Sequence, residues 1–180
     1  DSEKEVCFIL GATDSSIIAK DLSYKYSKLN NCHDELKSVK KYWEELLGKV
    51  KVETPVESIN IMLNGWAMYQ TLSSRLLGRS GYYQSGGAYG FRDQLQDALS
   101  TKFLNPEILK NQIIKHSKHQ FIEGDVEHWW HDETERGIRT RFSDDLLWLP
   151  FAVIEYMEFT GDTSILEIET NYLKGELLRE

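Results

Sequence analysis

Beyond Gly11, apolar residues recur at three- and four-residue intervals along most of the chain, the spacing that sets one face of a helix against a core. The first predicted helix covers residues 15–26, with Asp14 or Ser15 able to cap it. A second, over 31–47, starts at Asn30 or Asn31 and carries Leu36, Val39, Trp43, Leu46 and Leu47 on one side. Its other side is lysine and glutamate, and Gly48 stops it. After an extended linker over 49–54, Pro55 suits the first turn of a long helix running to Leu77 and closed by Gly78. Ile59, Met62, Leu63, Trp66 and Tyr69 surround that helix, which predicts burial on more than one side. A loop over 79–90 leads to a helix over 92–103, and Asn105 ahead of Pro106 caps another running to about residue 121. A long polar loop, 122–143, precedes a last helix over 144–160, ended by Gly161. Only residues 6–10 read as a strand. Helices joined alternately by short turns and by long loops predict a mainly α fold, a barrel or toroid of helix pairs with the long loops on one face.

Composition narrows the partners. With 180 residues, 41% of them hydrophobic, the chain can bury a core, and five Trp within 12% aromatic residues favour stacking on sugar rings. The net charge of -8 is spread without a basic stripe, which argues against nucleic acid and against an anionic membrane surface. Cys7 and Cys32 stand far apart in sequence and in no ligand spacing, so neither a disulfide framework nor a structural zinc is expected, and a reducing cytoplasm fits. No apolar run approaches a membrane span, and no leader-peptide pattern opens the sequence.

Three stretches carry candidate chemistry. YYQSGGAYGFRDQLQD, residues 82–97, combines an aromatic pair, a glycine-rich turn, Arg92, Asp93, Asp97 and the amides Gln94 and Gln96. That mixture grips a hydroxyl-rich ligand. Gly86, Gly87 and Gly90 let backbone approach a ligand or take positive φ, although Arg92 and Asp93 also suit a loop-anchoring salt bridge. In GDVEHWWH, residues 124–131, adjacent Trp129 and Trp130 diverge, so one can line a groove while the other packs inward. In GIRTRFSDDLLWLP, residues 137–150, Arg139 and Arg141 share one side of an extended segment, suiting an anion or clamping the loop to acids. Asp144 and Asp145 read two ways: as helix cap and first-turn acid, or as a general acid whose pKa is raised by its surroundings. The pairs His116/His119 and His128/His131 are three residues apart, but no acid or thiol interleaves in a ligand motif, so no metal site is expected.

These motifs, with FIEGDVEHWWH in place of the shorter second stretch, resemble in order and spacing the catalytic domain of glycoside hydrolase family 94. That family holds inverting β-glycoside phosphorylases and the phosphorylase-like region of cyclic β-1,2-glucan synthases. The resemblance covers about residues 8–162. It implies the end of a β-sandwich domain at 1–12, linker helices at 13–54, and the first part of an (α/α)6 barrel at 55–180, with the remainder of the barrel supplied by a longer protein. It further implies that Asp144 is the general acid, that Asp93 holds hydroxyls of the sugar at the cleaved bond, and that Phe142 lines the same subsite. Arg92, Gln94, Trp129, Trp130, Arg139, Arg141 and Asp145 are implied to line or support the subsites. SGGAYGFRD places Gly87 where cellobiose-type members carry an arginine, which brings the chain closer to the β-1,2-glucan branch. The implied partners are a β-linked oligosaccharide and inorganic phosphate as co-substrate, with no other cofactor and no metal. A homodimer is implied for the parent protein. The chain alone is expected to be inactive, because the family's phosphate ligands come later in the barrel.

Overall fold

A computed structural model describes residues 2–79 and 86–178. Residues 82–85, which hold the aromatic pair of the first motif, lie outside that range. The chain divides into two compact units, Asp1–Leu46 and Leu47–Glu180. In the first, α1 (Ser16–Tyr26) is capped by Ser15, whose side chain accepts from the Ile18 N–H. The second helix, α2, spans Leu29–Leu47 and ends at the boundary between the units. Glu35 on α2 accepts from Tyr26 Oη at 2.9 Å and from Lys25 Nζ at 3.0 Å, tying α1 to α2. Cys7 and Cys32 are free thiols with their sulfurs 3.3 Å apart. Residues 6–10 hold no regular secondary structure and join no ladder among the described residues, so the strand expected there does not form within this chain. A strand needs a neighbour to satisfy its backbone.

In the second unit the long helix predicted over 55–77 is broken. Helix α3 (Glu57–Ile61) and α4 (Ala67–Gln70) are separated by a wide π turn, Met62–Trp66, and a second π turn, Thr71–Leu77, follows. Gly65 sits at φ 148°, a conformation that favours glycine. The preceding Asn64 explains what the break accomplishes: its Oδ1 accepts from Val52 N–H at 2.6 Å and its Nδ2 donates to Val52 O at 2.7 Å. One turn earlier Asn60 Oδ1 accepts from Thr54 N–H at 2.8 Å and Nδ2 donates to Thr54 O. Two amide side chains thus hold the extended linker alongside. The expected burial of this segment is also corrected, since Ile61, Met62, Leu63 and Trp66 are exposed and only Leu72 and Leu76 are buried.

Three helices form the core of this unit: α5 (Phe91–Leu99), continued by a tight 3-10 turn over Ser100–Phe103, α6 (Pro106–Ser117) and α7 (Asp145–Thr160), each packed against the other two. Asn105 caps α6 by accepting from the Glu107 N–H, and Gly161 ends α7 in the left-handed region at φ 73°. Leu95, Ala98, Leu109 and Ala152 close the interior. The segment read as a polar loop contains a β-hairpin. Strands β2 (Glu127–His131) and β3 (Arg136–Arg139) pair antiparallel, and β1 (Tyr89–Gly90) adds on the other side of β2. Trp130 is fully buried, stacked between Tyr89 at 5.3 Å and His119 at 3.8 Å. Its Nε1–H donates to Asp132 at 2.8 Å, and its ring meets Phe91 of α5 and His116 of α6 edge-on at 6.4 and 5.0 Å, so the hairpin is anchored on both helices through one indole. Among the described residues no helix is long and apolar enough to cross a membrane.

Candidate carbohydrate site

The start of α5, the hairpin and the start of α7 converge. Gly90 is the N-cap of α5, and Gln94, buried, accepts its N–H through Oε1 at 2.5 Å. A Cβ at position 90 would lie 2.5 Å from Asp93 Oδ2. Glycine there lets the Asp93 carboxylate fold back over the helix entry, where the N-terminal dipole favours an anion. Asp93 and His128 border two adjoining cavities. The first, about 250 Å³, is also lined by Arg75, Arg79, Tyr89 and Trp129. The second, about 280 Å³, is lined by Arg92, Asp93, Gln96, His128, Phe142, Asp144 and Asp145. A larger open recess of about 820 Å³ lies beside Lys118 and residues 168–173, but none of its lining residues comes from the three motifs, so the smaller pair is the better chemical candidate.

The two aspartates part company at the head of α7. Asp144 is the N-cap residue, yet its side chain makes no capping bond. Instead Oδ2 accepts from Arg92 Nη1 at 2.9 Å, with both side chains about half exposed at 49%. Arg92 also lies over the Trp148 ring, 5.2 Å from its centroid. Asp145 is buried at 3% exposure and its Oδ2 meets His128 Nδ1 at 2.7 Å. The His128 ring in turn stacks on Phe142 at 4.5 Å. The structure therefore brings Arg92, Asp93, Phe142, Asp144 and Asp145 together, with Trp129 on the adjoining cavity.

Other candidates serve the frame. Trp130 lies in the core and supports the site without facing it, while Gln94 fastens the α5 cap and also borders the first cavity. Arg139 clamps the hairpin: Nε and Nη2 each donate to Asp125 at 2.6 Å, Nη2 reaches Glu123 at 3.0 Å, and the guanidinium lies 4.0 Å from the Phe121 centroid. That pairing holds the Asp125 carboxyl below its ordinary range. Arg141 Nη2 donates to Leu178 O at 3.0 Å, so the two arginines part rather than share one anion. Asp97 pairs with Arg75 at 2.7 Å, and burial raises its carboxyl's pKa against the opposing pull of Arg75. Three of the histidines have separate partners: His119 Nδ1 on Glu127 at 2.7 Å, His116 Nδ1 on Gln112 O at 2.8 Å, and His128 on Asp145. His128 was missed as a site residue because histidine spacing was weighed only for metal. Its signal lay in standing directly before Trp129 in the second of the three motifs.

Residues 42–176 match the family described as the Glycosyl hydrolase 94 superfamily, catalytic domain. The chain belongs to this family. Across 178 residues it is 39% identical to cyclic beta-(1,2)-glucan synthase NdvB of Rhizobium meliloti (strain 1021), covering 99% of this chain and 6% of that protein. It is 26% identical over 201 residues to N,N'-diacetylchitobiose phosphorylase of Vibrio proteolyticus, covering 96% of the chain and 25% of that enzyme. Solabiose phosphorylase of Paenibacillus borealis is 27% identical over 163 residues, 91% of the chain and 20% of that enzyme. The chain thus spans a quarter or less of the length of each of these relatives.

Proposed function

We propose that this chain carries the acid-bearing half of a site that cleaves a β-glycosidic bond with inorganic phosphate and inverts the anomeric carbon. The observation that carries the reading is Asp144: an N-cap carboxylate released from capping and turned into a cavity that also holds Asp93, Arg92 and Phe142. Arg92 orients the carboxyl through Oδ2. Protonated, Asp144 gives its proton to the glycosidic oxygen as the C–O bond breaks, while a phosphate oxygen bonds the anomeric carbon from the opposite face. The product is an α-sugar 1-phosphate. An inverting hydrolase needs a second carboxylate to activate water, whereas phosphate is its own nucleophile, so one catalytic carboxyl is enough. Asp93 accepts from sugar hydroxyls and Phe142 gives the ring an apolar face.

The helices of the second unit then form the first part of an (α/α)6 barrel completed by further chain in a cytoplasmic parent protein, working with no cofactor beyond phosphate as co-substrate. A second reading is the phosphorylase-like region of a cyclic β-1,2-glucan synthase, favoured by the 39% identity to NdvB over 99% of the chain. The test uses the parent protein: release of α-glucose 1-phosphate from β-1,2-, β-1,3- and β-1,4-linked gluco-oligosaccharides, with and without phosphate. Phosphate-dependent release that falls by 100-fold or more in Asp144→Asn, roughly the loss when a general acid is removed, supports the assignment, and the linkage cleaved names the substrate. Undiminished release in the variant removes Asp144 from the role.

A further inference from the structure

The geometry points to His128 as a residue that reads the sugar directly, accepting a hydrogen bond from one ring hydroxyl at the boundary between the two cavities. Its Nδ1 faces the Asp145 carboxylate at 2.7 Å, and a carboxylate only accepts, so the ring proton sits on Nδ1. Asp145 is buried at 3% exposure at the head of α7, and Phe142 stacks on the ring at 4.5 Å. The imidazole is therefore fixed in tautomer and in plane. Nε2 makes no hydrogen bond among the described residues, and it belongs to a side chain lining both cavities. A neutral Nε2 is an acceptor without a proton of its own, which suits a hydroxyl donor and not a phosphate oxygen.

Among the described residues, Asp93 is the only other side chain common to both cavities. A carboxylate and an imidazole nitrogen on one boundary form two acceptors for hydroxyls of one ring, so the pair selects a sugar by where its donors lie. This inference rests on the sugar-site reading above and adds to it the residue that sets sugar choice.

The test is a cycle between protein and ligand in the parent protein. The affinity of the β-linked glucose disaccharide that binds most tightly, and of its monodeoxy analogues, is measured by calorimetry for wild type, His128→Asn and His128→Gln. Asparagine retains an N–H near the Nδ1 position and with it the bond to Asp145, but nothing at Nε2; glutamine carries its amide oxygen outward toward the Nε2 position. Affinity for the intact disaccharide is expected to fall about 10-fold in His128→Asn, the loss that an unpaired buried hydroxyl brings, with partial recovery in His128→Gln. For one monodeoxy analogue, wild type and His128→Asn should bind within about two-fold of each other. Equal losses across all analogues, or wild-type affinity in His128→Asn, would overturn the inference. Release of α-glucose 1-phosphate is followed in the same preparations. A ligand-specific cycle without phosphorolysis would sink the catalytic reading alone, phosphorolysis with a flat cycle would sink His128 alone, and no sugar binding at all would sink both.

Discussion

His116 shows how a single side chain ties the site's frame to pH. It is fully buried against Trp130 and Phe91, and burial pulls its pKa from 6.5 down to about 3. A neutral imidazole has one proton, which Nδ1 donates to Gln112 O at 2.8 Å; Nε2 merely approaches Gly90 O at 3.4 Å. Because the folded form binds its proton below the unfolded form's pKa, the contribution to stability is complete above about pH 6.5 and is lost as pH falls toward about 3. At about 1.4 kcal/mol per unit, the full span is worth on the order of a few kcal/mol. Thermal unfolding of the parent protein followed between pH 7 and 4 should show a falling midpoint, and His116→Leu should flatten that slope. A slope unchanged in the variant would place the acid sensitivity in other groups. At this scale the sequence was legible for residue type more than for duty. Asp144 and Asp145 stood out as a pair, but whether either capped α7 depended on Arg92 and His128, which arrive from other elements. Arg139 showed a charge without showing that Asp125 and Glu123 would claim it.

Among the elements, helices were legible where caps and periodicity agreed, as in α1 with Ser15 and α6 with Asn105. The β2–β3 hairpin was not, because EHWWH does not alternate apolar and polar residues and its turn lacks the usual Asn-Gly signal. The turn instead places Glu135 at φ 51°. A glutamate gains nothing from the left-handed region, whereas asparagine tolerates it. Glu135→Asn should therefore raise the parent protein's stability by up to about 1 kcal/mol, read as a higher denaturant midpoint with an unchanged slope. A lower midpoint would mean that the Glu135 side chain contributes more than its backbone costs. The break at Asn64 and Gly65 escaped notice for a related reason: periodicity continues across it, and what bends the helix is the pairing of Asn64 with Val52, twelve residues back in the chain.

At the scale of the whole molecule, α7 is apolar on two sides. Leu149, Ala152 and Tyr156 are buried on α5 and α6, while Leu147, Phe151 and Ile154 remain exposed. A helix apolar all round is built for burial on both faces. The 180-residue chain produced by itself should bind a hydrophobic dye and self-associate; a monodisperse, dye-silent chain would show that this face needs no cover. The helical class and the order of the three motifs were readable in advance because they are local, but the convergence of α5, the hairpin and α7 was not, since it depends on contacts more than fifty positions apart, as between Arg92 and Asp144. The bond between His128 and Asp145 has a further consequence. It latches the hairpin to the residue beside Asp144, so hairpin docking and placement of the Asp144 carboxylate become one cooperative event. A chain whose hairpin has yet to close leaves the head of α7 without this latch.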